Sequence, residues 1–444
     1  MTARNKKIKR LFISDIHMGD TRSTISGDPP PPYAYGWFRD IDEPNQHRPD
    51  MLADLLKNYI IPDDTIDEVI LLGDIFDDWN VPADLSPCQT PGVNRFEAIA
   101  SSPHNEPVIA NLKTLAAAGK LTYITGNHDM LITKEENRRV IKEIFPGINL
   151  IGDQGAGAYK TDDGILAEHG HCYTLFNTPW QERVAPAAHD VTKRYSSQEK
   201  SSHENKISTN SSIENSGSAG SMIPFGFYVS RCEIQFRAQK GREYSFFDLL
   251  RDTVTGKGML PPSPEKFLCP LDEKQAKAIA DEIDKIIIGV FKVFRSNDVF
   301  DDQEGVRMDG FDGIPGVMKW KDIDERFARI YRDWEIMHPD SCSAYRALIN
   351  NLFKLKCADD YVLKKEQPKI LIFGHSHVDK LDTRDYGNGP QIYANTGAWI
   401  NKRDCTFVKT EFDPGTGEHK VDLWQYWDEK ISLLESAAVK VQGI

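Results

Sequence analysis

The chain has 444 residues, about 40% of them hydrophobic, and a formal net charge of −13. A chain of this size can bury a large core, either as one elaborated domain or as two domains. The acidic balance disfavours a nucleic-acid partner, because phosphate backbones are themselves negative.

Seven cysteines occur without CxxC spacing. The odd number and the chain length argue against a disulfide framework and favour reduced thiols. The basic N-terminus runs straight into a strand pattern without the apolar region of a secretory signal. No stretch reaches the roughly 18 to 20 apolar residues that span a bilayer. Together these features predict a cytoplasmic protein without a transmembrane segment.

The first third of the chain alternates strand and helix patterns. Short apolar runs predict strands at residues 8–14, 68–72 and 121–125. Between them, residues 50–60 and 107–118 carry apolar positions on one helical face. This order is typical of an α/β sheet with parallel central strands.

Further strand patterns occur at residues 164–168, 369–373, 391–395, 405–412 and 419–426. The last two are separated by an Asp-Pro-Gly-Thr-Gly sequence, which predicts a hairpin. Residues 428–440 predict a C-terminal helix.

Residues 172–366, here called the cap segment, differ in character from the rest of the chain. Residues 195–221 are rich in Ser, Asn, Glu and Gly, which predicts a mobile loop. Two helical stripes follow, and they indicate a helical cap that packs on the α/β body. An alternative interpretation is an apolar cleft for a lipid or another substrate with an apolar part. The stripes consist of Ile279, Ile283, Ile286, Ile287, Val290 and Phe294, and of Phe327, Ile330, Tyr331 and Trp334.

Polar motifs follow five of the predicted strands. Ligands of α/β proteins gather beyond the carboxyl ends of parallel strands, so we expect these motifs to meet at one edge. Each motif alone is common, whereas the ordered set of five is specific. The motifs are Asp15-Ile16-His17, Gly73-Asp74, Gly126-Asn127-His128-Asp129, Glu168-His169-Gly170-His171 and Gly374-His375-Ser376-His377.

The motifs supply the ligands that two divalent metal ions need. Asp74 has two carboxylate oxygens and can bridge the ions. Mixed nitrogen and oxygen ligation without thiolate suits Mn, Fe, Zn or Co. Two such ions can activate a water and polarise a phosphoryl group, which predicts phosphoester hydrolysis by a bridging hydroxide. The candidate ligands are Asp15, His17, Asp74, Asn127, His169, His375 and His377.

Two further residues have candidate catalytic roles. His128 lies beside Asn127 and can protonate the leaving oxygen, while Asp129 can orient its imidazole. Asp77 lies near enough to Asp74 to affect the site. His171 remains open between ligand, substrate contact and hydrogen-bond donor to a ligand.

The five motifs resemble those of the calcineurin-like metallophosphoesterase superfamily, over about residues 8–172 and 367–426. This resemblance implies a four-layer α/β/β/α sandwich made of residues 1–171 and 367–444, with the cap segment as an insertion. It also implies two ligand sets that share Asp74, and His128 as the proton donor. One metal ion would take Asp15, His17, Asp74 and His377, and the other Asp74, Asn127, His169 and His375.

Residues 71–79 and the His169-Gly170 step look like the UDP-2,3-diacylglucosamine hydrolase branch of that superfamily. Those enzymes cleave a pyrophosphate bond in a lipid precursor. The chain departs from the branch in two ways: it has His128 where the branch carries Arg, and its cap segment is much longer than their lid.

The predicted substrate is a small phosphorylated molecule: a diester, a pyrophosphate or a monoester. The charges of two metal ions, Asp15, Asp74 and a hydroxide are balanced by a singly charged diester, which favours diesters or pyrophosphates. Alternative functions are a protein phosphatase or nuclease of the same fold, or a scaffold that has lost its chemistry. Broken ligand sets would mark a scaffold, and this set is intact.

Overall fold

The computed structural model describes residues 6–20, 48–79, 81–87, 92–180, 221–240, 272–296, 304–339, 341–352, 355, 358–400 and 405–441. Residues 195–220 of the predicted mobile loop lie outside this part of the chain. The strands in chain order are β1 (Ile8–Ile13), β2 (Glu68–Leu72), β3 (Leu121–Ile124), β4 (Asn149–Ile151), β5 (Ala158–Lys160), β6 (Ile165–Glu168), β7 (Gly305–Arg307), β8 (Val317–Lys319), β9 (Ile370–Phe373), β10 (Lys380–Asp385), β11 (Pro390–Asn395), β12 (Thr406–Asp413), β13 (Glu418–Trp427) and β14 (Lys430–Lys440).

Two large sheets form the body of the described chain. One has the order β14-β13-β12-β1-β2-β3-β4, and the other β10-β11-β9-β6-β5. Strands β1 to β4 are parallel to one another, as are β6, β9 and β11. These parallel strands are short apolar runs because both of their faces are buried.

The helices in chain order are α1 (Arg48–Leu55), α2 (Arg95–Ala100), α3 (Glu106–Ala117), α4 (Glu135–Ile144), α5 (Phe225–Lys240), α6 (Glu273–Ser296), α7 (Trp320–Met337), α8 (Ala344–Leu352) and α9 (Ala358–Lys365). A short π-helical turn, Leu56–Ile60, extends α1. In the described part of the chain, no helix is long and apolar enough to cross a membrane.

The two sheets pack face to face around a shared apolar core. Phe12 and Ile70 of the first sheet lie in one buried cluster with Ile370, Ile372 and Ile392 of the second. Residues one position along each strand point to the opposite face, as the period of two requires. The sheets therefore form the two inner layers of a sandwich.

Helices cover the outer faces of both sheets. Leu11 and Leu71 point away from the shared core into a cluster with helices α1 and α3. On the other side, Leu371 packs with Val362 and Leu363 of α9. This arrangement confirms the predicted α/β/β/α sandwich.

The helices of the cap segment join the same large core. Ile279, Ile283 and Ile287 of α6 are buried, as are Ile330 and Trp334 of α7. These stripe residues are therefore packed in the core, and the helical cap itself stays a prediction. The side chains of residues 289–296 lie outside the described part.

The predicted C-terminal helix at 428–440 is wrong, because residues 430–440 form strand β14, which pairs antiparallel with β13. A two-residue turn determines the pairing: Asp428 and Glu429 both have positive φ, 51° and 56°. Left-handed residues at both central positions are typical of tight hairpins, whose twist matches the strands. Hydrogen bonding along the hairpin outweighs the helix propensity of the local sequence.

Candidate metal centre

The predicted ligands meet at one edge of the sandwich. Asp15, Asp74 and Asn127 follow the adjacent strands β1, β2 and β3, while His169 and His375 follow β6 and β9 of the other sheet. Three clusters of potential ligand atoms result, each within 4.8 Å. They comprise Asp15, His17 and His377; His17, Asp74 and His128; and Asp74, His169 and His375.

Each ligand carboxylate has one oxygen held by the backbone and one directed at the cluster. Oδ2 of Asp15 accepts from the His375 N–H at 2.9 Å, and Oδ1 of Asp74 accepts from the His128 N–H at 2.8 Å. The second oxygens face histidines: Asp15 Oδ1 lies 3.1 Å from His377 Nε2, and Asp74 Oδ2 3.1 Å from His169 Nε2. Backbone donors thus aim the free oxygen of each carboxylate.

Asp74 lies between the two predicted ligand sets. Its Oδ2 is 3.1 Å from His169 Nε2 and 3.8 Å from His17 Nε2. The resemblance places these two histidines on different metal ions. The position of Asp74 therefore fits a bridging carboxylate.

Hydrogen bonds at Nδ1 orient two of the ligand rings. Nδ1 of His169 lies 2.8 Å from the carbonyl of Leu72, and Nδ1 of His17 lies 2.9 Å from Oδ2 of Asp77. Both acceptors require a proton on Nδ1, so Nε2 keeps its lone pair for the cluster. A hydrogen-bond acceptor on the side of the ring away from the metal ion is typical of metal-binding histidines.

Several buried polar atoms in this cluster fit a cation. Asn127 Oδ1 is buried without a hydrogen-bond partner among the described residues, while Asp15 Oδ1 and His169 Nε2 face only side chains of the cluster, at 3.1 Å. The Nε2 atoms of His17 and His377 face each other at 3.2 Å, which requires a proton or a cation between two lone pairs. Buried unpaired polar atoms cost free energy, and metal ligation satisfies them.

The pKa values reflect the same crowding of carboxylates. Burial lowers the pKa of His169, but the negative charges of Asp74 and Asp15 outweigh it and raise the pKa to about 9. The pKa of Asp74 is well below its usual range, because the neighbouring histidines outweigh burial. Without metal ions, protons supply the positive charge that these acids attract.

Glycines make room for the carboxylate that joins the two sets. A Cβ on Gly126 would overlap Oδ1 of Asp74, and one on Gly73 would lie 2.6 Å from Nδ1 of His169. Gly73 also has a φ of +85°, which disfavours other residues.

His128 lies at the rim of the centre with its ring held on two sides. Its Nδ1 is 3.0 Å from Oδ1 of Asp77, and its ring stacks on Trp79 with centroids 4.4 Å apart. Burial lowers its pKa, but the carboxylates of Asp77 and Asp74 outweigh burial and raise the pKa to about 9. His128 can therefore carry a proton at neutral pH.

The expectation that Asp129 orients His128 is wrong, because Asp77 fills that position. Asp129 instead accepts hydrogen bonds from the N–H groups of Gly126 and Ile75 and from the Tyr123 hydroxyl. It therefore holds the loop that carries Asn127 and His128. Its spacing next to His128 could not reveal this, because adjacent side chains point in different directions.

Three further residues lie around the histidines, and the sequence identified one of them, His171. His171 donates from Nε2 to the carbonyl of Gly155 at 2.9 Å and belongs to none of the three clusters of described residues. Thr174 Oγ1 and Asn177 Nδ2 lie 3.2 and 3.3 Å from His375 Nε2. No motif marked these two, since they follow β6 in an irregular turn.

The described chain is thus an α/β/β/α sandwich with candidate metal ligands clustered at the carboxyl ends of its strands. Residues 8–221 match the family model described as calcineurin-like phosphoesterase. Over these residues, a little under half of the chain, the sequence is similar to that family. The matched range contains five of the seven predicted ligands, and the remaining two lie at His375 and His377.

Comparison with solved structures gives distant similarities. A dimetal phosphatase from Danio rerio is 10% identical, with 98% of each chain covered and a TM-score of 0.36. A predicted phosphoesterase from Streptococcus pneumoniae is 10% identical over 97% of this chain and 98% of that chain, with a TM-score of 0.25. Vacuolar protein sorting 29 from Cryptosporidium parvum is 12% identical over 19% of this chain and 44% of its own, with a TM-score of 0.16. No curated protein matches the chain.

Proposed function

We propose that the protein is a dinuclear metal-dependent phosphohydrolase that cleaves a small phosphodiester or pyrophosphate. The observation that carries this proposal is the position of Asp74 Oδ2 between His17 and His169, one histidine from each predicted ligand set. An oxygen in that position, with candidate ligands on both sides, supports a carboxylate shared by two cations.

The metal ions, when bound, would activate a water molecule and polarise the phosphoryl oxygens. Asp15, His17 and His377 would hold one ion, Asn127, His169 and His375 the other, and Asp74 both.

The chain's own contribution to leaving-group departure is a proton from His128. Asp77 accepts from Nδ1, so Nε2 is the ring nitrogen that can present a proton to the departing oxygen. Stacking on Trp79 restricts the ring to one plane. The His128 side chain is 16% exposed, so it can reach a substrate at the rim.

The charges around the cluster favour a singly charged phosphoryl group. Among the described residues, the ion pairs of Asp15 and Asp74 are all with histidines. A monoester dianion would add a negative charge that a lysine or arginine would have to offset. We therefore expect diesters or pyrophosphates to be cleaved faster than monoesters.

The test compares bis(4-nitrophenyl) phosphate with 4-nitrophenyl phosphate, for metal-free protein reloaded with Mn²⁺, Fe²⁺, Zn²⁺ or Co²⁺. The proposal expects hydrolysis with at least one metal and a higher kcat/KM for the diester. Asp74→Asn should abolish it, whereas Asp64→Asn, a change of an exposed carboxylate, should not.

Equal activity of Asp74→Asn and the parent protein would overturn the assignment of the site. A higher kcat/KM for the monoester would overturn the substrate preference alone. Phosphopeptides and single-stranded DNA belong in the same panel, because faster turnover of either would favour the alternative functions.

A further inference from the structure

The ring of His375 makes a hydrogen bond through Nε2 with a residue outside the three clusters. Thr174 Oγ1 lies 3.2 Å from His375 Nε2. Thr174 is completely buried, and the backbone N–H of His375 is already tied to Asp15 Oδ2. The backbone of His375 is therefore held by a carboxylate of the centre, and its ring by a threonine of the turn after β6.

The direction of this hydrogen bond follows from the second partner of Thr174. Its Oγ1–H donates to the carbonyl of His171 at 2.8 Å. A hydroxyl has one proton, so with that bond made Oγ1 accepts from His375. This favours a proton on Nε2 and leaves the lone pair of Nδ1 for a ligand, while the Asn177 amide nitrogen, 3.3 Å from the same Nε2, is the competing donor.

We propose that Thr174 is a positioning residue for the metal centre: it selects the Nε2–H tautomer of His375 and thereby makes Nδ1 the ligand atom. This inference rests on the proposed metal centre and adds a residue that no motif of the sequence marks. The other histidines of the centre, His17 and His169, are oriented at Nδ1 instead. His375 is thus held at Nε2, whereas His17 and His169 are held at Nδ1.

Helices α5 and α8 hold the turn that carries Thr174. Asn350 of α8 donates to the carbonyl of Tyr173 at 2.9 Å, and the Leu175 N–H donates to the carbonyl of Ala347 at 3.2 Å. The Gly226 N–H at the start of α5 donates to the carbonyl of Phe176 at 2.7 Å. The position of Thr174, and through it the ring of His375, therefore depends on helices α5 and α8.

The first experiment measures Mn²⁺ binding to metal-free protein by titration calorimetry. Thr174→Val keeps the shape of the side chain and removes the acceptor, so one of the two binding steps should weaken by about 10- to 100-fold. Thr174→Ser restores the hydroxyl and should bind like the parent protein. Thr178→Val is the matched control, because Thr178 makes a similar buried contact with His338, 3.1 Å away, which is not a ligand.

The second experiment assigns the tautomer of His375 by ¹⁵N NMR of histidine-labelled, metal-free protein, with His375→Gln to identify its signals. The Nε2–H form is expected in the parent protein and in Thr174→Ser. An Nδ1–H form in the parent protein would overturn the proposal, and would indicate instead that the Asn177 amide, 3.3 Å away, donates to Nε2.

The two proposals fail separately. If the parent protein binds two metal ions and hydrolyses esters while Thr174→Val binds them equally well, only the role of Thr174 is wrong. If the parent protein binds metal ions with the expected tautomer but cleaves no ester, the proposed function is wrong and the role of Thr174 stands.

Discussion

Oδ1 of Asp77 accepts a hydrogen bond from His128 Nδ1 at 3.0 Å. The same oxygen accepts the backbone N–H of Trp79. The other oxygen of Asp77 binds His17, a predicted ligand. One buried carboxylate therefore orients both the predicted proton donor and a residue of the metal centre. A change at Asp77 is expected to affect proton transfer and metal binding together.

Asp77→Asn should lower kcat by about 100-fold, at the lower end of what acid catalysis contributes. The loss should be larger for an alkyl ester than for a 4-nitrophenyl ester, because a poor leaving group depends more on the proton. Rates with matched diesters of both types test this, with bound metal measured in the same samples. An equal loss for both ester types would contradict a role of Asp77 in protonating the leaving group.

Asp129→Asn should act mainly on stability. The carboxylate accepts from the N–H groups of Gly126 and Ile75 and from the Tyr123 hydroxyl. Losing part of this buried set should cost about 1–3 kcal/mol in urea unfolding. The ratio of the alkyl to the aryl ester rate should stay that of the parent protein, unlike for Asp77→Asn. A changed ratio would restore Asp129 as the partner of His128.

Metal ions should stabilise the fold. Ions that bind the folded state alone add about 2.7 kcal/mol per site at a concentration 100-fold above the Kd. Thermal unfolding of metal-free protein with and without Mn²⁺ measures this, and Asp74→Asn should lose most of the increase. If Mn²⁺ leaves the Tm of the parent protein unchanged, that result would contradict a metal centre in the folded protein.

Acid should weaken the sandwich at His419, far from the metal centre. His419 is buried, which lowers its pKa below the ordinary 6.5, and its Nδ1 donates to the carbonyl of Asp163. In the unfolded chain it takes up a proton below pH 6.5, whereas in the folded chain it stays neutral until a lower pH. Stability is therefore lost as pH falls below 6.5, by at most about 1.4 kcal/mol per pH unit.

Urea unfolding between pH 5 and 7.5 checks this dependence. His419→Gln should show a smaller loss than the parent protein, and His104→Gln, at an exposed position, should show the same loss as the parent. A steeper loss in His419→Gln would show that the sign is wrong.

The backbone at the metal centre should favour glycine over alanine. His377 has a φ of 55°, in the left-handed region. Without metal ions, His377→Gly should be more stable than His377→Ala by about 1 kcal/mol, because a Cβ is strained there. In helix α3 the order should reverse, and Ala110→Gly should lose about 1 kcal/mol. If alanine is also the better residue at 377, the conformation there differs from the one described.

The sequence was most informative where a short apolar strand ends in a polar motif. Such strands predict their own position, and the parallel arrangement brings Asp15, Asp74, Asn127 and His169 to one edge. Strand β14 was not predicted, because its residues favour a helix and only pairing with β13 makes them extended.

Side-chain partners were harder to predict than positions. Asp129 is next to His128 in the sequence, whereas Asp77 is 51 residues away and reaches the ring only through the turn after β2. Thr174 lies in an irregular turn whose position depends on α5 and α8, so nothing local marks it. The domain boundaries and the metal-binding roles of the predicted ligands stay predictions.

Most of the predicted ligands have a left-handed backbone conformation. Five of the seven predicted ligands have φ between 53° and 63°, and such a conformation costs roughly 1–2 kcal/mol per residue. Drift toward glycine at these positions would relax the backbone and make the metal-free fold easier to form. A lineage that stopped using the centre would therefore lose it readily. The five residues are Asp15, His17, Asp74, His375 and His377.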